Sequence, residues 1–175
     1  KQKLRFPEVS DPEPAFYEFD AELDRIFTKT LELIIKRFSY SRYAPLLYLK
    51  EGIDQPTEIS QKNMIKFMRI LLIKRLESSF FAFKQSIERF VYSYRRFIEE
   101  YRKGKVYVSK KYTSKIFDLL DQDDMEAIQR LVVQGDAYER KSSDFNPDFI
   151  NDLEADWKTL TEIHDMWKDI DMDPK

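Results

Sequence analysis

The sequence predicts an all-α fold, a bundle of five to six helices with an extended N-terminal arm. Apolar residues recur at intervals of three and four residues in several long segments, as in amphipathic helices. Hydrophobic residues make up 42% of the 175 residues and aromatic residues 15%, which is enough for a substantial core. The chain has only three glycines, and this disfavours a sheet-rich fold with many tight turns.

We expect one helical domain over residues 1–175. It would consist of an extended arm over residues 1–19, core helices over residues 20–103 and acidic C-terminal helices over residues 104–175. Three prolines among the first fourteen residues predict the arm, because proline fixes φ and disfavours helical backbone in the residue before it. The chain begins with lysine rather than methionine, as an excised segment of a larger protein or a processed chain would. We expect it to be a segment of a larger chain.

The first two core helices follow from their apolar patterns. Asp20 is a good N-cap for a helix whose apolar stripe continues to Phe38. A second helix is predicted from about Ser60 to about Leu76. Apolar residues lie on nearly all of its sides, so we expect it to be the central and most buried helix.

The third core helix is predicted to begin after Ser78 or Ser79, either of which can cap it. It ends before Gly104, a suitable left-handed C-cap residue, and we expect it to lie antiparallel to the second helix. The side chains expected to be mostly buried in these two helices are Ile70, Leu71, Ile87, Phe90 and Tyr94.

The C-terminal part combines shorter apolar patterns. Residues 106–108 suggest a short extended segment, and residues 116–120 and 125–132 suggest two short helices. A final helix follows Pro147, with an apolar stripe that includes Leu153, Trp157 and Leu160.

The net charge of −2 hides a strong segregation of charge along the chain. Residues 61–115 hold fifteen Lys or Arg against four Asp or Glu, whereas residues 116–175 hold six against seventeen. On the third helix, at about 100° per residue, the cations that point away from the apolar stripe are Lys84, Arg89, Arg95, Arg96, Arg102 and Lys103. This outward face of the helix either follows the phosphates of a nucleic acid or is a solvated surface paired with the acidic C-terminal third.

We expect no catalytic residue and no metal site in this chain. Without cysteine it has neither disulfides nor thiolate metal ligands. His164 is the only histidine, so a histidine-based metal site or a Ser–His–Asp triad has no companion residue. The acidic clusters at residues 121–126 and 169–173 do not complete an EF-hand loop, and no G-x-x-x-x-G-K-[ST] loop is present.

The junction between the second and third helices carries a distinctive motif. Residues 72–83 read L-I-K-R-L-E-S-S-F-F-A-F. This segment resembles the L-x-K-R-x-E-S-S-x-x-A-F element of bacterial Swi/Snf-related superfamily-two helicases, which lies between their two RecA-like ATPase lobes. Shorter likenesses at residues 6–12, 40–49 and 169–175 extend the resemblance over nearly the whole chain. The positions that match the motif are Lys74, Arg75, Glu77, Ser78 and Ser79.

The motif residues allow two interpretations. A serine cap and Glu77 near the positive end of the third helix would define a structural corner between two core helices. Alternatively, Lys74 and Arg75 on the exposed side of the second helix would contact nucleic acid directly.

The resemblance implies an accessory helical domain of an ATP-dependent DNA translocase or helicase, which contacts DNA or couples the ATPase lobes. It implies ATP and Mg²⁺ for the parent chain and no cofactor in this segment. The expected partners are DNA and the flanking RecA-like lobes, in the cytoplasm. No membrane is expected, since four cations interrupt the apolar run over residues 64–76. The alternative is a protein–protein interaction bundle whose acidic and basic surfaces dock a partner.

Overall fold

The computed structural model describes residues 18–108 and 138–170, which are mostly helical. The all-α class is therefore confirmed at this level, with four α-helices in the described part. Most of the predicted arm and the two short helices predicted around residues 116–132 lie outside the described residues. The helices are α1 (Ala21–Glu32), α2 (Gln55–Ser78), α3 (Phe80–Arg102) and α4 (Asp148–Trp167).

A small antiparallel sheet follows α3. Strand β1 (Lys105–Val108) pairs with β2 (Tyr138–Lys141), so the extended segment predicted at residues 106–108 is confirmed. Gly104 turns the chain from α3 into β1 with φ of 89°, a left-handed conformation that glycine adopts at little cost. Its N–H donates to the carbonyl of Tyr101 at 2.9 Å, which ends α3 as the C-cap prediction required.

Helix α1 begins as predicted, since Asp20 Oδ1 accepts a hydrogen bond from the N–H of Leu23 at 2.7 Å. Its last turn widens into a π-helical turn over Leu33–Arg37. Helix α1 also contacts α4. The Nε1 of Trp167, at the end of α4, donates to the Oγ1 of Thr30 at 2.7 Å, and both residues are buried. This bond fixes α1 against the C-terminal end of α4.

Helix α2 begins earlier than predicted. Its N-cap is Asp54, whose Oδ1 accepts from the N–H of Thr57 at 2.9 Å, and the prediction of a start near Ser60 was wrong. Pro56 lies in the first turn, where the missing N–H has no intrahelical partner to lose.

The core lies mainly between α3 and α4, which run antiparallel. At one end the ring centroids of Phe80 and Trp167 are 4.8 Å apart, and at the other those of Phe97 and Phe149 are 6.0 Å apart. Of the side chains expected to be buried, Leu71, Ile87, Phe90 and Tyr94 are buried.

The expectation for Ile70 was wrong, as was the central position predicted for α2. Ile70 is 54% exposed and Ile59 52% exposed, because only one side of α2 is covered by the rest of the bundle. A helix that is apolar on most sides does not by itself reveal which side meets the core.

Candidate nucleic-acid interface

The motif at residues 72–83 forms the corner between α2 and α3. Ser79 is the N-cap of α3, because its Oγ accepts from the N–H of Ala82 at 3.3 Å, while Ser78 is the exposed last residue of α2. Leu76 and Phe80, on either side of the corner, are buried and anchor it in the core. The structural interpretation of the motif therefore accounts for Ser79.

The charged residues of the motif divide between the corner and the surface. Arg75 is half-buried, and its Nε donates to the carbonyl of Ala82 at 3.4 Å, which is a long and therefore weak hydrogen bond across the corner. Lys74 and Glu77 are exposed. Lys74 is thus the motif cation available to a ligand, whereas Arg75 is partly engaged within the fold.

Most of the cations predicted on the third helix lie on one surface. Residues that face the core, such as Phe83, Ile87 and Phe90, define the buried side of α3, and the cations lie on the opposite side. All of the following are exposed, and we call them together the outer face of α3: Arg89, Arg95, Arg96, Arg102 and Lys103.

Carboxylates of the same chain partly neutralise this outer face. Arg95 Nε lies 3.2 Å from Glu99 Oε1 within α3, and Nζ of Lys103, the C-cap residue, lies 2.8 Å from Glu100 Oε1. The hydrogen bond from Lys103 lowers the pKa of Glu100 below its ordinary value. These pairs lie at the surface, where solvent screens the attraction, so a phosphate can compete for the same cations.

Pairing between the basic segment and the acidic third also occurs. Arg102 Nη2 lies 2.8 Å from Glu154 Oε1 on α4, and Lys105 Nζ lies 3.3 Å from Glu139 Oε2 across the sheet. Part of the charge segregation is therefore matched inside the fold, as the interpretation of a solvated, internally paired face expects.

Lys84 lies apart from the outer face. It is half-buried, and its Nζ donates to the carbonyls of Ile170 at 2.6 Å and Lys168 at 3.3 Å. A cation at this position satisfies carbonyl groups at the end of α4, where the helix dipole favours positive charge.

A second row of cations lies on α2, and one of its members, Lys66, was not predicted as a candidate site residue. Lys66, Ile70 and Lys74 are four residues apart, so they lie on one side of the helix, and all three are exposed. We call them the α2 stripe. Neither lysine forms an ion pair with any residue in the part of the chain that the structure describes. Four-residue spacing within the apolar run was the available signal for Lys66.

A buried carboxylate joins the loop after α1 to α3 and α4. Asp156 is fully buried and accepts hydrogen bonds from the backbone N–H groups of Ser39 at 2.6 Å and Ser41 at 2.8 Å. The hydroxyl groups of both serines also donate to it, at 3.0 and 2.7 Å, as does that of Tyr94 at 3.1 Å. Tyr40, between the serines, is left-handed with φ of 61°, which lets both N–H groups converge on one carboxylate.

Burial raises the pKa of the Asp156 carboxyl above its ordinary value, and the hydrogen bonds from Ser41 and Ser39 offset part of this effect. Burial likewise raises the pKa of the Tyr94 hydroxyl, and the neighbouring Asp156 charge adds to the rise. Every polar atom of the carboxylate has partners inside the fold. Asp156 therefore positions the loop, a role that was not predicted from the sequence.

Two guanidinium groups lie against aromatic rings beside this loop. The Arg42 Cζ lies 5.4 Å from the ring centroid of Tyr43 and 5.7 Å from that of Phe97, and the Arg69 Cζ lies 5.7 Å from that of Tyr40. Such contacts stabilise a partly desolvated cation by about 0.5–2 kcal/mol. Both arginines therefore belong to the packing of the loop.

Within residues 18–108 and 138–170, no three His, Cys, Asp or Glu side chains are grouped so that they could hold a metal ion. None of the helices described combines the length and apolar character that crossing a bilayer requires. Comparison of the chain with protein-family models, with curated proteins and with solved structures finds no match.

Proposed function

We propose that this chain is an accessory helical domain of a Swi/Snf-related ATP-dependent DNA translocase and that it contacts the DNA backbone through the outer face of α3. The observation that carries the proposal is the concentration of five exposed cations on the helix that follows the L-x-K-R-x-E-S-S-x-x-A-F motif. They lie at residues 89, 95–96 and 102–103, so successive groups are about two helical turns apart, and such a row of long cationic side chains suits a row of phosphates.

The corner motif supports this proposal by fixing how two cationic surfaces are arranged. Only Ser79 separates α2 from α3, and its cap hydrogen bond holds the start of α3. Buried Leu76 and Phe80 hold the corner in the core. The α2 stripe and the outer face of α3 are thereby presented by one rigid unit.

In this proposal the chain binds and positions DNA and carries no catalytic group. ATP and Mg²⁺ would belong to the ATPase lobes of the parent chain. Contacts to phosphates carry no direct sequence information, so binding through these cations would be independent of DNA sequence.

Fluorescence anisotropy with a short labelled DNA duplex tests the binding step. We expect weak binding that loses affinity steeply as salt rises, because phosphate contacts release counterions. Absence of binding at low salt, or binding that does not respond to salt, would contradict the proposal. The reading frame that encodes this chain tests the parent assignment, and we expect it to encode a G-x-x-x-x-G-K-[ST] loop before residue 1.

The second candidate is a protein–protein interaction bundle, and the exposed isoleucines of α2 favour it. Ile59 and Ile70 are each more than half exposed and lie eleven residues apart, close to three helical turns, so they share one side. A reading frame without ATPase motifs, together with no DNA binding, would place this candidate first.

A further inference from the structure

Tyr92 occupies the middle of the outer face of α3. At about 100° per residue it points almost directly away from the buried side of the helix, and its side chain is 63% exposed. Within the residues that the structure describes, Tyr92 has no hydrogen bond and no ring partner. Much of the ring is therefore accessible to solvent, and so to a ligand.

Cations surround this ring. Arg89 lies three residues before it, and Arg95 and Arg96 lie three and four residues after it, so all three are neighbours of Tyr92 on the helix surface. Glu88 and Glu99 lie on the same side, and Glu99 is paired with Arg95 at 3.2 Å. Arginine is thus the predominant charged neighbour of an exposed aromatic ring.

Bases and phosphates together explain this arrangement better than phosphates alone. Contact with a duplex backbone needs cations and gains little from an exposed aromatic ring. An unpaired nucleotide offers a base that stacks on the ring and phosphates that reach the flanking arginines, which is how proteins bind single strands without sequence preference.

We infer that Tyr92 is a stacking platform for an unpaired base and that the outer face of α3 binds single-stranded nucleic acid. This inference rests on the proposed function and specifies its substrate class. Arg89 and Arg96 bind the phosphates on either side of the stacked base.

The test measures the affinity of the chain for a labelled oligothymidylate and for a duplex, at one salt concentration. We expect tighter binding to the oligothymidylate. Tyr92→Ala should weaken that binding by about 5- to 150-fold, the range that loss of one base–aromatic stack gives, and leave duplex binding nearly unchanged. Tyr92→Phe keeps the ring and should bind like the unmodified chain.

Ile35→Ala is the matched control, because Ile35 is also exposed, has no aromatic ring and lies outside both cationic surfaces. Equal affinity of Tyr92→Ala and the unmodified chain for oligothymidylate would overturn the inference. If duplex binding persisted in that case, the proposed function would stand. Failure of the unmodified chain to bind either probe at low salt would overturn both. Far-UV circular dichroism verifies that each variant is folded.

Discussion

Asp156 shows at the scale of single residues how one side chain organises the loop between α1 and α2. Five hydrogen bonds converge on its carboxylate, from Ser39, Ser41 and Tyr94. The left-handed backbone of Tyr40 costs about 1 kcal/mol or more for a residue with a side chain, and these hydrogen bonds hold it in place.

Replacement of this carboxylate should be strongly destabilising. Asp156→Ala leaves several buried donors without an acceptor, and each such donor costs about 1–3 kcal/mol. We expect a loss of about 3 kcal/mol or more in the free energy of unfolding, measured by urea denaturation. Asp165→Ala, which removes an exposed carboxylate from the same helix, should change stability by about 0.5 kcal/mol or less. Similar stability of the two variants would show that Asp156 does not hold the loop.

The pH dependence of stability tests the charge state of Asp156. Because burial raises its native pKa above the unfolded value, ionisation favours the unfolded state. The contribution of Asp156 is therefore fully present below the unfolded pKa of about 4 and is lost as pH rises through the native pKa.

The variant Asp156→Asn does not titrate, so the stability gap between it and the unmodified chain should widen as pH falls from neutral towards about 4. Urea denaturation at several pH values measures this gap, and the comparison cancels the other titrating groups. A gap that narrows on acidification would mean that hydrogen bonds outweigh burial and lower the pKa.

The sequence did not reveal Asp156 because its neighbour was the more obvious core residue. The apolar stripe of α4 was predicted to include Trp157, yet Trp157 is 37% exposed and Asp156 fully buried. A carboxylate enters the core here only because the loop at Ser39 and Ser41 brings donors to it. Those donors are more than one hundred residues away in the sequence, and local periodicity contains no information about them.

At the scale of secondary-structure elements, the corner between α2 and α3 depends on one serine. Ser79→Ala removes the side-chain acceptor for the N–H of Ala82 and should cost about 1 kcal/mol in the free energy of unfolding. Ser78→Ala is a close control, since Ser78 is exposed at the end of α2 and does not cap α3. Equal effects of the two substitutions in urea denaturation would refute the assignment of Ser79 as the cap.

Prediction of the elements succeeded where a local signal decides the outcome. Three features were predicted correctly from the sequence: the cap at Asp20, the left-handed turn at Gly104 and the apolar stripe of α3. The start of α2 was not predicted, because Pro56 is equally compatible with a loop and with the first turn of a helix. The exposure of Ile70 was not predicted either, because packing with distant segments determines which side of an almost uniformly apolar helix is covered.

Charge is the dominant feature at the scale of the whole molecule. The basic segment over residues 61–115 and the acidic third are joined by pairs such as Arg102–Glu154, yet the outer face of α3 remains exposed. The sequence predicted this face from the helical wheel, and five of the six α3 cations lie on it. Lys84 differs because the end of α4 offers carbonyl groups within its reach.

The most direct test of the account is the salt dependence of duplex binding after neutralisation of the outer face. Each phosphate contact contributes about 0.9 to the slope of log K against log salt. Combined substitution of Arg95, Arg96, Arg102 and Lys103 by glutamine should therefore flatten the slope by about 3 to 4, with little loss of stability.

The matched control neutralises four cations of α1, its terminal turn and α4, by substituting glutamine for Arg25, Lys29, Lys36 and Lys158. This control variant loses the same four positive charges as the outer-face variant. It therefore distinguishes direct phosphate contacts by the outer face from general electrostatic attraction between the chain and DNA. We expect a flattened slope for the outer-face variant and a much smaller change for the control. Equal slopes for the outer-face variant and the unmodified chain would show that these cations form only a solvated surface.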